Sequence, residues 1–486
     1  MGIVRNQSIK NSISFYIGML IGAINTVIVY PYVFNDNPEY FGLIQILIAY
    51  AVVISTITTF GIPKTFIRFF PSIKSKGQLY LYSFIFPLIG FILVSFFYLL
   101  FKDEIYYFLS ADELLQENFF YILILVFFIG FYDVLTAISR SFLSSALPVF
   151  VNEIFLKIYS LTTLILFSFD LFSFSTFIKV YIFGYILKFI ILLLVQLFYR
   201  RIDYSLSFKD LDLKAMFSFG LFVLVSGASL MIVTRLDMMM IGALLDLEQV
   251  AFYTVAFFIG NAIRVPAQSI ISISIPLISK AWENNDMDTI QSLYSKSSIN
   301  QLIIGGVFFV CIWLNIDDIF SLLPEKFQGG RWVVFYIGIS QLFNITTGVN
   351  GVIIVNSSYY RYDLYTNLFL VFITICTNYF LIPLYGINGA AMATAISVLL
   401  FNLIKLLLIK FKMNMHPFSH KTIKAIALII VIYSLVVLIP GTSHALLNIF
   451  WRSLIVFMLL IPSVLYFGIS EDFDKISKDI KLRYRK

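Results

Sequence analysis

Apolar residues run through this chain in stretches of about twenty, each closed by a short polar break. A hydrocarbon core of about 30 Å takes roughly twenty helical residues per crossing, so each stretch can span a bilayer. The stretches are continuous rather than alternating, which excludes an outer-membrane barrel. The pattern predicts fourteen helices, at residues 13–30, 41–60, 79–101, 119–138, 149–169, 177–199, 216–245, 250–275, 297–314, 333–355, 364–384, 388–410, 422–440 and 447–468. The seventh is the odd one, because Arg235 and Asp237 interrupt it. No break is long enough to hold a folded extramembrane domain. The first run follows Arg5 and Lys10 as a signal peptide would, but it lacks a small-residue cleavage site and is long enough to span. The fold class is an all-α polytopic membrane protein.

Composition agrees. Of 486 residues, 60% are apolar, 18% aromatic and 13% charged, against about 25% charged in soluble chains. A soluble domain hung from one anchor is excluded as well. The two cysteines, Cys311 and Cys376, lie inside apolar runs, and the three histidines lie in loops or at span edges. No disulfide framework or metal site is expected from them. The net charge of +7 marks a membrane side rather than a nucleic-acid partner. Loops assigned alternately to two sides put 24 Lys and Arg residues on the side holding both termini. The other side carries four: Lys102, Lys326, Arg331 and Arg452. The positive-inside rule then places both termini in the cytoplasm.

A weak internal repeat accompanies the count. Glu39-Tyr-Phe-Gly42 and Glu248-Gln-Val-Ala251 lie 209 residues apart, and Gly18 and Gly227 share that offset. Two pseudo-symmetric six-helix lobes plus two C-terminal helices are the expected plan, with a substrate site between the lobes. The lobes are residues 1–200 and 215–410, joined by a basic cytoplasmic linker at 201–214. Residues 411–486 supply helices 13 and 14 and a cytoplasmic tail.

The informative charges are those at membrane depth, where a Lys or Arg costs about 2.5–3.5 kcal/mol on insertion scales. Lys188 falls near the middle of the sixth span and Arg264 near the middle of the eighth, with Lys157 and Arg235 at similar depth. Cations on both walls of a cavity suit a polyanion such as a pyrophosphate. A structural alternative exists for some of them. Glu153 and Lys157 are four apart and can pair along one helix. Asp133 and Arg140 are seven apart on one face. Arg235 and Asp237, two apart, point to different faces and cannot pair within their helix. Arg264 has no acid within four positions. Asp237, Asp133 and Glu153 are candidates for binding a coupling Na⁺ or H⁺, with structural pairing as the alternative for each. No other cofactor is expected. The chain has no Walker-type phosphate loop and no convincing catalytic triad or paired-carboxylate site, so an enzyme is not expected.

Two stretches carry a resemblance. Residues 234–256, Thr-Arg-Leu-Asp-Met-Met-Met-Ile-Gly-Ala-Leu-Leu-Asp-Leu-Glu-Gln-Val-Ala-Phe-Tyr-Thr-Val-Ala, resemble the helix-seven-to-eight signature of bacterial polysaccharide (O-antigen type) flippases. Residues 382–397, Ile-Pro-Leu-Tyr-Gly-Ile-Asn-Gly-Ala-Ala-Met-Ala-Thr-Ala-Ile-Ser, resemble that family's helix-twelve motif. Its two small-residue stripes, Gly389/Ala393/Ser397 and Gly386/Ala390/Thr394, allow close helix approach. The resemblance implies membership of the multidrug/oligosaccharidyl-lipid/polysaccharide exporter superfamily. It implies two lobes around a cationic cavity and alternating-access transfer of an undecaprenyl-pyrophosphate-linked oligosaccharide across the bacterial inner membrane. Membrane lipids, and a polysaccharide polymerase with its assembly proteins, are the implied partners. Arg264 occupies the helix where related lipid-linked precursor flippases carry an important Arg. The peptidoglycan-precursor branch carries several Arg residues in its first two helices, and spans one and two here have none. Arg264, Arg235, Lys188 and Lys157 are then the expected substrate-binding residues. The alternatives are an ion-driven multidrug antiporter of the related branch and a membrane glycan polymerase.

Overall fold

The computed structural model describes residues 2–109, 112–199 and 207–475, and every regular element among them is a helix. Residues 201–206 of the expected linker, and the basic tail from 476 onward, lie outside the described residues. The chain divides into two compact units, Met1–Thr254 and Val255–Lys486.

The first unit contains α1 (Ile9–Val33), α2 (Pro38–Thr58), α3 (Ile62–Phe69), α4 (Lys76–Tyr107), α5 (Phe120–Ser141), α6 (Ala146–Ser168), α7 (Phe174–Phe198) and α8 (Leu213–Leu244). Its centre is α2. Pro38 starts that helix where a missing N–H costs nothing, and Glu39 complements the positive end of the helix dipole. Phe41, Leu43, Ile46 and Leu47 are all buried. A β-carbon at Gly42 would run into the Leu247 carbonyl, so glycine is what allows backbone contact there. By contrast, α4 shows Leu88, Ile92, Leu93, Phe96 and Phe97 outward, as a lipid-facing helix must. Two helices widen locally into π turns, at Ile24–Val29 in α1 and Val151–Phe155 in α6. Such turns absorb one extra residue and often mark functional positions.

The second unit is built around α10 (Met287–Leu314), with α9 (Leu247–Glu283), which begins in the first unit, α11 (Arg331–Thr346) and α12 (Asn350–Asn356). It continues through α13 (Arg361–Met413), α14 (His420–Val436) and α15 (Ala445–Tyr466). Ile303, Val307 and Val310 of α10 pack with Ile432 and Val436 of α14 and with Val456 and Leu460 of α15. The last two helices are thereby fixed to the unit by an apolar seam.

Ten helices are long and apolar enough to cross a membrane, or up to twelve if each of two bent pairs is one span, so the expected count of fourteen is not confirmed. The remaining expected spans sit in α13 and α14. Straight, the 53 residues of α13 would reach about 80 Å, far beyond one bilayer. The helix instead turns back at Gly386, whose φ of 58° suits glycine. Thr377 and Ser397 then meet at 3.2 Å, although in a straight helix they would stand about 30 Å apart. Gly389 lies against the Leu381 carbonyl, and Ala393 and Ser397 are fully buried. The small-residue stripe thus lets the two arms of one hairpin touch. His420–Val436 has 17 residues, at the short end of what spans.

The chain beyond α15 is held by its acids. Glu471 reaches Lys296 at 3.4 Å and Lys421 at 3.5 Å, while Ser470 and Asp472 bond Asn300. The two ammonium groups hold the Glu471 carboxyl below the usual carboxylate range. A depressed folded value gives stability that is present above the unfolded value of about 4.3 and is lost as pH falls through the folded value. Thermal melting of wild type should therefore show extra acid sensitivity below about pH 4.3, and Glu471→Gln should remove that increment. Identical melting curves across pH for the two proteins would contradict it.

Candidate functional site

One face of α7 organises the interior of the first unit. Phe177, Tyr185, Lys188 and Leu192 recur at helical spacing and are all buried, with Tyr181 on the same face. Lys188 is only 4% exposed. Its ammonium lies 4.4 Å above the Tyr132 ring and 4.9 Å from the Tyr185 ring, where the π quadrupole replaces part of the lost hydration. Its Nζ donates to Asn152 Oδ1 at 3.2 Å. Tyr132 is held in place by its own hydroxyl, which donates to the Pro148 carbonyl at 2.6 Å.

Asn152 belongs to the π turn of α6 and passes the connection onward. Its Nδ2 donates to Glu153 Oε1 at 3.0 Å, and Glu153 Oε2 accepts from Lys157 Nζ at 2.8 Å. Lys157 and Glu153 therefore form the ion pair that their four-residue spacing predicts. Helix α1 presses on this pair. A β-carbon at Gly18 would strike Glu153, and one at Gly22 would sit 3.5 Å from Lys157 Nζ. Asn25 Nδ2 donates to the Lys157 carbonyl at 2.9 Å. Asp133, next to Tyr132, is exposed and interacts electrostatically with both Lys188 and Arg140. Neither pairing is a direct ion pair among the described residues.

Helix α8 brings Arg235 to the same neighbourhood. Arg235 is half-buried and interacts electrostatically with Tyr185, whose ring also flanks the Lys188 ammonium. Asp237 points the other way, as the two-residue spacing requires. It is 5% exposed and accepts a 2.5 Å hydrogen bond from Tyr253.

Arg264 lies in the second unit, at the end of a short 3₁₀ turn, Ala262–Arg264. Pro266 explains the turn, since it has no N–H for the Ala262 carbonyl. Val265 N–H takes that carbonyl instead. The side chain of Arg264 is exposed, and it makes no ion pair or hydrogen bond among the described residues. The structure thus gathers Lys188, Glu153, Lys157, Asp133 and Arg235 in the first unit. It sets Asp237 apart on Tyr253.

Sequence reasoning missed a second buried lysine. Lys405 is 5% exposed and donates to Asp363 Oδ1 at 2.9 Å, and Asn367 donates to the other carboxylate oxygen at 3.1 Å. Beside it, Asn402 accepts from Thr347 at 3.0 Å and from Asn350 at 3.1 Å, and donates to Asn344 at 3.0 Å. This side chain braces the 47° bend between α11 and α12, where Gly348 adopts a φ of 67°. The available signal was Lys405, well inside the run 388–410, and asparagines inside apolar runs. Removing one partner of a buried pair leaves an uncompensated charge, so Lys405→Ala should destabilise the protein by about 3 kcal/mol. The double replacement Lys405→Met/Asp363→Leu should recover most of that loss. Melting of the purified variants in detergent measures both.

Three comparisons place this architecture among known proteins. The sequence matches the family described as "Polysaccharide biosynthesis protein" over residues 8–282. No curated protein sequence matches the chain. Among solved structures, the lipid II flippase MurJ in its inward closed conformation aligns at a TM-score of 0.72 and 16% identity, covering 95% of this chain and 99% of that one. An inward-facing multidrug resistance MATE family transporter of the MOP superfamily aligns at 0.65 and 14%, covering 84% and 98%. A MOP superfamily transporter from Pyrococcus furiosus aligns at 0.56 and 14%, covering 85% and 96%. These neighbours are transporters and flippases, not enzymes, and their likeness shows a MurJ/MATE-like transporter fold. With more than half of its length matched and this fold around it, the chain is a multi-pass membrane protein that belongs to the polysaccharide biosynthesis protein family.

Proposed function

We propose that the chain is a flippase that carries an undecaprenyl-pyrophosphate-linked oligosaccharide across the bacterial inner membrane by alternating access, with both termini in the cytoplasm. The observation that carries this reading is Lys188. It is a buried cation with one amide acceptor, two aromatic faces and no ion pair among the described residues. Burying a charge without a direct ion pair is costly; the Asp133 and Glu153 carboxylates act on it only at longer range, and an anionic substrate supplies a closer counter-charge. Family membership supports the pathway, and the flippase and transporter folds support movement of substrate through the membrane.

In this reading Lys188 and Arg235 are the cations of the first unit that receive the pyrophosphate or acidic sugars, and Arg264 is the candidate cation of the second. Lys157 serves as a more distant cation, since Glu153 neutralises it. Asp133, which has no direct ion pair among the described residues, is the first candidate for coupling to Na⁺ or H⁺. Glu153 and Asp237 follow, each already engaged by a neighbour. The six-helix lobes and their linker serve the same cycle, and a polymerase with its assembly proteins would receive the product on the far side.

The test is a leaflet-resolved assay in proteoliposomes with a defined undecaprenyl-pyrophosphate-linked oligosaccharide. Wild type should move the substrate between leaflets without lengthening its glycan. Chain elongation in the purified system would show a polymerase. Export of cationic drugs without lipid transfer would show an antiporter.

A further inference from the structure

Away from the mid-membrane cluster, the first unit holds a second pair of cations with no acidic partner. In α3, Ile62, Thr65 and Phe66 are buried, whereas Lys64 and Arg68, one turn apart, are exposed. Gly61 precedes the helix at a φ of 68°, and a β-carbon there would meet the Gly220 carbonyl. The start of α3 is thereby laid directly on α8. The Arg68 guanidinium sits 4.1 Å above the Phe219 ring of α8. The Lys64 ammonium would lie 3.7 Å from a β-carbon at Gly227 of the same helix. Neither cation makes an ion pair or hydrogen bond among the described residues. Lys76, from the same basic loop, is instead satisfied by the carbonyls of Phe70 and Ile73 and by the Phe70 ring.

Charge bias alone asks only that cations be present on the cytoplasmic face. It does not ask that two of them be seated on one helix with their donors unused. Phe219, Gly227 and Arg235 follow one another at eight-residue intervals on α8, and the helix bends by 46° between the second and the third. Arg68 and Lys64 therefore mark two cationic positions along the first part of this helix, and Arg235, beyond the bend, interacts electrostatically with the Tyr185 that also flanks Lys188.

We propose that Lys64 and Arg68 form a capture site for the phosphate groups of the anionic lipid-linked substrate. The inference rests on the flippase reading above. Guanidinium and ammonium donors match phosphate oxygens through charge-assisted hydrogen bonds, and exposure at the basic face leaves both free to receive a headgroup before it moves inward.

The experiment titrates the detergent-purified full chain with undecaprenyl pyrophosphate and, separately, with phosphatidylglycerol. The double variant Lys64→Gln/Arg68→Gln should bind undecaprenyl pyrophosphate about tenfold more weakly than wild type, the size expected for two exposed charge contacts. Its affinity should also depend less on salt. Lys64→Arg/Arg68→Lys, which keeps both charges, should bind close to wild type, and phosphatidylglycerol binding should be unchanged throughout. Wild-type affinity in the double Gln variant would overturn the capture site and leave the flippase reading standing. An equal loss for both lipids would also overturn it, showing a bilayer-surface anchor. A wild-type protein that binds no undecaprenyl pyrophosphate would sink the flippase reading, and the capture site with it.

Discussion

Lys188→Met should lose transport while the protein becomes no less stable. The two halves of this expectation come from one feature. An ammonium buried with a single amide acceptor and two ring faces has given up most of its hydration, and no ion pair among the described residues repays it. Replacing a whole buried ion pair by apolar residues is commonly neutral, or stabilising by about 1–4 kcal/mol; Lys188→Met likewise removes the desolvation cost of the ammonium and leaves behind only the Asn152 amide oxygen, without its donor. A hydrogen bond to a charged group, by contrast, contributes about 1.5–3 kcal/mol. Its loss toward a phosphate therefore corresponds to a fall of about tenfold to a hundredfold in transport. Melting in detergent and leaflet-resolved transfer in proteoliposomes measure the two halves separately. Normal transfer by Lys188→Met would remove this lysine from the mechanism. A protein that melts early would instead make Lys188 a structural residue.

Arg264→Ala should abolish transport in cells while leaving membrane insertion and abundance intact. The side chain is exposed and makes no ion pair or hydrogen bond among the described residues, so its removal should shift stability by no more than about 0.5 kcal/mol. The backbone reason for the 3₁₀ turn is Pro266, which the substitution leaves in place. Arg264→Lys should restore only part of the activity, because an ammonium cannot reproduce the two-pronged contact of a guanidinium with phosphate. A normally expressed Arg264→Ala protein with full activity would falsify the assignment.

What could be read from the sequence was what depends on local spacing. Apolar run length gave the membrane-crossing helical class, because each helix must cover the hydrocarbon by itself, but not the count, which stands at ten to twelve against the fourteen expected. Four residues between Glu153 and Lys157 gave an ion pair, and two between Arg235 and Asp237 gave opposite faces; both follow from helical pitch alone. The Lys188 environment was legible only in part. Burial followed from its depth, but its acceptor lies 36 residues away on a π turn that no periodicity announced. Lys405 and Asp363 were hidden for a similar reason. They are 42 residues apart and meet only because the chain reverses at Gly386. Contacts between helices depend on rotational phase, which hydrophobic run length does not encode.

The wide turn at Val151–Phe155 also has a bearing on how this segment tolerates changes in length. Ordinary winding advances about 100° per residue, so deleting a residue elsewhere in α6 would swing one part of the helix round relative to the other. Deletion inside the bulge would merely tighten it. Lys157 would keep its bearing toward Gly22, while Asn152 would withdraw from the Lys188 ammonium. Shortening there would uncouple the two lysines without scrambling the helix, a separation that no side-chain exchange achieves as cleanly.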